Sequence, residues 1–129
     1  MHKILIALGT NINHEHNMRN LKMHIMERFQ NVRFSQNMLT DAIGEKFSGK
    51  VFLNSVAMCL TEKDSPYEVE TLLKEIETLC GNSNKLRESG NITSDLDLLL
   101  FDNQKFHTND WCRLYIKTLV AQLVDIETK

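Results

Sequence analysis

The chain has 129 residues, of which 42% are hydrophobic and 25% charged, with a formal net charge of -2. That length fits one domain, residues 1–129, with one adequate core. The near-neutral charge argues against a general nucleic-acid face, which needs a basic patch, and the longest apolar runs, Ile4 to Leu8 and Leu96 to Phe101, are far too short to span a bilayer.

Lys3 to Leu8 is a continuous apolar run rich in branched residues and reads as a central strand buried on both faces. Gly9-Thr10-Asn11 supplies the turn that ends it. Met18, Leu21, Ile25 and Phe29 then recur at helical spacing. His14 and His16, two apart, do not face each other on a helix, so a solvated helix start is a better reading than a metal pair. Asn31 to Thr40 alternates loosely as a strand, Asp41 to Lys50 reads as a mobile loop, and Val51 to Leu60 is a long strand carrying a polar Asn54. Ser65, Pro66 and Glu68 form a capping box with proline at the first helical position, ahead of a stripe of Val69, Leu72, Leu73, Ile76 and Leu79. Gly81 stops that helix. Asn82 to Ile92 is polar and reads as a loop, either closing over a ligand or merely connecting. Leu96 to Phe101 is a core strand, Gln104 to His107 a short edge strand, and Trp111 to Ile126 a helix on which Trp111 and Tyr115, four apart, share a face. This βαββαβ order predicts an α+β ferredoxin-like sandwich, an antiparallel sheet with helices on one face, plus an extra C-terminal helix.

The chemistry concentrates at Asp95-Leu96-Asp97. Residues two apart on a strand share a face, so the two carboxylates project side by side while Leu96, Leu98 and Leu100 point into the core. Adjacent anions repel, and burial would cost several kcal/mol or raise one pKa. A magnesium ion, which takes one or two carboxylates plus water and phosphate oxygens, would remove that conflict. From spacing alone a merely wet edge strand is the commoner outcome. Asn54 likewise has two readings, a solvent- or loop-bonded amide, or one that reads a ligand's donor–acceptor edge. Cys59, Cys80 and Cys112 are odd in number and form neither a zinc pattern nor a disulfide framework. With no leader-like N-terminus, a reducing cytoplasm is the expected compartment, and a monomer the expected state.

Several of these segments resemble one family in register. Ile6-Ala7-Leu8-Gly9-Thr10-Asn11, Phe52-Leu53-Asn54-Ser55-Val56, Leu72 to Glu77, and Asp95-Leu96-Asp97-Leu98-Leu99-Leu100-Phe101 are similar to the opening strand, the Asn-bearing strand, the second helix and the paired-aspartate strand of the 6-hydroxymethyl-7,8-dihydropterin pyrophosphokinases of folate biosynthesis. The resemblance implies transfer of pyrophosphate from ATP to the pterin hydroxymethyl group, with release of AMP. It implies two magnesium ions on Asp95 and Asp97, and pterin contacts from Asn54, Phe52, Thr40 and Ile43. Lys74 and Glu77 would lie on the nucleotide side. Arg113 would touch ATP and Tyr115 stack on the pterin, with His107 a candidate for the family's histidine. The small molecules ATP and pterin are then the expected partners, with no nucleic acid and no membrane.

The departures fall before the aspartates and in the C-terminal part, where the match of Arg113 and Tyr115 requires a deletion of about eight residues after Trp111 relative to the family. Where the family has a stacking aromatic and two arginines, this chain has Ser89, Asn82 and Ile92. Lys85 and Arg87 are the cations left to serve phosphate and are candidate catalytic residues. A relative that binds pterin, nucleotide or a protein partner without turnover is therefore the alternative.

Overall fold

The computed structural model describes residues 1–42 and 49–128, with side-chain surroundings through 123. The described residues form an α+β ferredoxin-like fold, with an open antiparallel sheet of six strands and five helices. β1 (His2–Thr10) lies at the centre. It pairs antiparallel with β4 (Val51–Thr61) on one side and β5 (Asp95–Phe101) on the other. β2 (Gln30–Phe34) and β3 (Met38–Asp41) share the outer side of β4, and β6 (Gln104–Lys105) pairs only with the last two residues of β5.

Alternation along β1 divides the core in two. Ile4, Ile6 and Leu8 face α1 (His14–Arg28) and α2 (Pro66–Leu79), packing on Met18, Leu21, Ile25, Val69, Leu73 and Ile76. Leu5, with Val56, Met58 and Leu99, faces Ile116, Leu119 and Leu123 of α5 (Leu114–Thr128). The C-terminal helix thus covers the face that the ferredoxin-like pattern leaves open. Each fully buried aliphatic side chain contributes about 1.5–3 kcal/mol.

The α2 start follows the sequence pattern: Ser65 Oγ accepts from Glu68 N, and Glu68 Oε2 accepts from Asp64 N. Other segments differ from the expectation for identifiable reasons. The strand expected over 31–40 is broken at Ser35, whose hydroxyl accepts from Val56 N at 2.8 Å and so replaces a ladder bond. Register along β5 shifts against Leu5 and Ile6, so Leu99 is extra. Beyond it Phe101 takes the core face shared by Leu96 and Leu98, and Leu100 packs on the α5 side instead. The polar stretch after Gly81 contains a short helix, α3 (Asn84–Glu88), capped by Ser83. Trp111 ends a separate turn, α4 (Thr108–Trp111), and donates from Nε1 to Leu99 and Phe106 carbonyls, so it shares no helix with Tyr115.

Candidate active site

Three neighbouring strands build the floor of one cleft. Across the β1–β4 ladder Gly9 faces Asn54, and across the β1–β5 ladder Gly9 faces Asp95 and Ala7 faces Asp97. Paired residues share a sheet face, so Asn54, Asp95 and Asp97 all project toward α5. A cleft of about 200 Å³ opens there, lined also by Thr40, Phe52, Asp110, Arg113 and Tyr115. Gly9 keeps the floor low: a Cβ there would sit 3.6 Å from Asn54 Oδ1 and 3.7 Å from the Phe52 ring.

Asn54 is oriented from behind. Its amide nitrogen donates to Met38 O at 3.1 Å and Thr40 Oγ1 at 2.8 Å. Those bonds turn Oδ1 toward Gly9 and the cleft as an acceptor. Tyr115 is half-buried, and burial raises its hydroxyl pKa. Arg113 donates from Nε to Asp110 Oδ1 at 3.1 Å.

The aspartates differ in their surroundings. Burial first, and then the neighbouring Asp95 charge, push the Asp97 carboxyl up to about 7. His107 Nε2 stands 3.9 Å from Asp97 Oδ1, and Arg87 Nη2 stands 3.6 Å from Asp95 Oδ1. Two crowded hard-oxygen donors, one held back from ionising, suit a cation such as magnesium that takes its remaining ligands from water and phosphate. No cage of three or more His, Cys, Asp or Glu side chains forms among the described residues, so the donor set is unlike a structural zinc site.

Asp97 also borders a second recess, lined by Glu70, Leu73, Lys74, Leu96, Leu98 and His107. It lies where β6 does not reach along β5. Asp97 therefore stands between two hollows, one shared with Asp95, Asn54 and Tyr115 and one with Lys74 and His107.

The other candidate residues fall in different places. Glu77 is 3% exposed and faces neither hollow; its Oε2 accepts from Leu96 N at 2.7 Å, and its Oε1 from Lys74 at 3.3 Å. Burial raises its pKa. Lys85 is exposed on α3, and no ion pair joins it to either aspartate among the described residues. Ile43 lies outside the described residues. Ile92 is buried, with its backbone clasped by Asn11. Three residues were not singled out from sequence. Asp110 reaches the cleft only through the chain reversal after β6, and no local signal marks it. Asn11 was read as a turn residue, and Asn82 only as a missing arginine.

Fold and site together define a ferredoxin-like α+β sandwich whose cleft carries a carboxylate pair, one member of which also borders a second hollow. A model of the 7,8-dihydro-6-hydroxymethylpterin-pyrophosphokinase family matches residues 5–127. The chain belongs to that family, whose activity is pyrophosphoryl transfer in folate biosynthesis. A search for individual curated relatives returned no match.

Proposed function

We propose that the chain transfers the β,γ-pyrophosphoryl group of ATP to the hydroxymethyl oxygen of 6-hydroxymethyl-7,8-dihydropterin. The observation that carries this reading is that Asp97 borders both hollows, with Asp95 beside it in the first. Phe52 and Tyr115 would hold the pterin, and Asn54 Oδ1 would accept from an N–H on its edge. Thr40 supports that pose by fixing the Asn54 amide, and Ile43 would add a contact. The nucleotide would lie on the Lys74 and His107 side, with Arg113, just ahead of α5 in the first hollow, meeting its phosphates from the other side of the aspartates.

Asp95 and Asp97 would hold magnesium, which supplies charge neutralisation along the phosphate chain. In the transfer, the pterin hydroxyl oxygen attacks the β-phosphorus. The bond from that phosphorus to the α,β-bridging oxygen breaks, and AMP leaves. The hydroxyl proton passes to a carboxylate of the pair. The rest is positioning, which is where most catalysis of phosphoryl transfer resides. No helix of the described residues is long and apolar enough to cross a membrane.

The buried Ile92 and the neutral Asn82 support a second reading, a relative that binds pterin or nucleotide without turnover. Pterin-dependent AMP release from magnesium-ATP tests both. The enzyme reading expects AMP well above an Asp95→Asn/Asp97→Asn control. Binding of either ligand without AMP would overturn it in favour of the second.

A further inference from the structure

The chain after α2 brings one arginine to the aspartates by a fixed route. Gly81, at φ 90°, lets the backbone reverse: Gly81 N donates to Thr78 O and Asn82 N to Glu77 O. That is a Schellman closure, and it pins the Asn82 backbone to the end of α2. Ser83 then caps α3, accepting from Leu86 N through its hydroxyl and from Arg87 N through its carbonyl. Arg87 therefore comes back over Asn82 after one helical turn. A guanidinium has only donors, so Asn82 presents its amide oxygen, which accepts from Arg87 Nε at 2.9 Å and Nη2 at 3.0 Å. The same Nη2 stands 3.6 Å from Asp95 Oδ1.

We propose that Asn82 is a positioning residue that holds Arg87 against Asp95, making Arg87 the cation that meets the phosphate chain of a magnesium-bound nucleotide. This rests on the proposed reaction. Asn82 engages Nε and one edge of Nη2, which leaves Nη1 and the second N–H of Nη2 unused by Asn82, with Nη2 beside Asp95. In the ligand-free chain Arg87 balances the Asp95 charge. When a metal takes Asp95, the guanidinium remains beside the site, tethered by Asn82, and its exposed donors meet a phosphate oxygen. A neutral side chain at 82 thus converts a loop arginine into an aimed one, while Lys85 on the same helix stays in solvent. Arg87 touches substrate and is catalytic in this scheme; Asn82 acts through it.

Two measurements test this together. The first follows the Arg87 Nε–H resonance of ¹⁵N-labelled protein. The wild type is expected to show a slowly exchanging Nε–H that moves on addition of magnesium with a non-hydrolysable ATP analogue. Asn82→Ala should lose the slow exchange, and Asn82→Asp, which keeps the oxygen, should retain it. The second measures AMP formation. Asn82→Ala should lower kcat by about 10- to 100-fold with the pterin KM unchanged. In an Arg87→Ala background, Asn82→Ala should add no further loss. An equal loss in both backgrounds, or an Nε–H unmoved by the magnesium–analogue complex, overturns the proposal. A wild-type chain that makes no AMP but whose Arg87 resonance moves overturns the reaction and leaves the arginine's role standing as nucleotide binding.

Discussion

Asn11 engages both backbone polar groups of Ile92. Its side-chain oxygen accepts from Ile92 N at 2.7 Å, and its own backbone N–H donates to Ile92 O at 3.0 Å. Its amide nitrogen also donates to Gly90 O at 2.9 Å. The turn after β1 therefore clamps the segment leading into the paired aspartates. Asn11→Ala leaves buried polar groups unpaired, and a loss of about 2–4 kcal/mol is expected. Urea denaturation checks this, with Thr10→Ser, which keeps the hydroxyl bond to the same carbonyl, as a milder comparison that loses about 1 kcal/mol with its buried methyl.

The environment of Asp97 sets a pH dependence. Its folded pKa is raised above the ordinary carboxylate value, to about 7, by burial and by Asp95. A raised carboxyl favours the folded state while protonated. That contribution is present below about pH 4 and is lost as pH rises through about 7. The metal-free protein is expected to melt at lower temperature at pH 8 than at pH 5.5, and Asp97→Asn to flatten this difference. Thermal scans across that range decide it.

The same shift makes cation binding a proton exchange. At pH 6 magnesium must displace a proton from Asp97; at pH 8 it need not. Calorimetry in two buffers of different ionisation enthalpy should find proton release on magnesium–nucleotide binding at pH 6 and little at pH 8. Asp97→Asn should abolish the release.

Glu77 separates support from ligand contact. Its carboxylate accepts from Leu96 N behind the strand. Glu77→Gln keeps an acceptor and should retain nucleotide affinity within about threefold. Glu77→Ala leaves a buried N–H unpaired and should cost about 1–3 kcal/mol of stability. A large affinity loss in the stably folded Gln variant would instead assign Glu77 directly to the nucleotide.

Asn54 is expected to act on one substrate only. Since its amide nitrogen is held by Met38 and Thr40, Asn54→Ala removes an acceptor fixed in the cleft. Pterin affinity should fall by about 10- to 100-fold, with the nucleotide analogue's affinity unchanged, as read by fluorescence titration of each.

The legible parts of the fold were those set by local chemistry. The branched run of β1 marks a strand buried on both sides, and Ser65-Pro66 with Glu68 marks the start of α2, because propensity and capping act within a few residues. Leu100 was misassigned to the core face since the extra residue at Leu99 is fixed by the partner strand, which no local pattern reveals. The helix of α3 was missed because five residues present too short a stripe to show a period. In the cleft, the strand period placed Asp95 and Asp97 on one face but spacing alone favoured a wet edge and left Asn54 with two readings, so the resemblance, not the strands, pointed to all three. Asp110 and Asn82 were not legible, as each matters only through a side chain that the fold brings to it.

The short reach of β6 has a consequence for solubility. From Asp95 to Leu98, β5 has no strand neighbour on its outer side among the described residues, and such an edge invites pairing with a second chain. Charges on an edge strand oppose that pairing, so the aspartates also act as gatekeepers against edge-to-edge aggregation. A variant that removes both carboxylates risks precipitating for reasons unrelated to catalysis. The Asp95→Asn/Asp97→Asn control loses the same two charges, so its solubility is checked by light scattering beside the AMP assay.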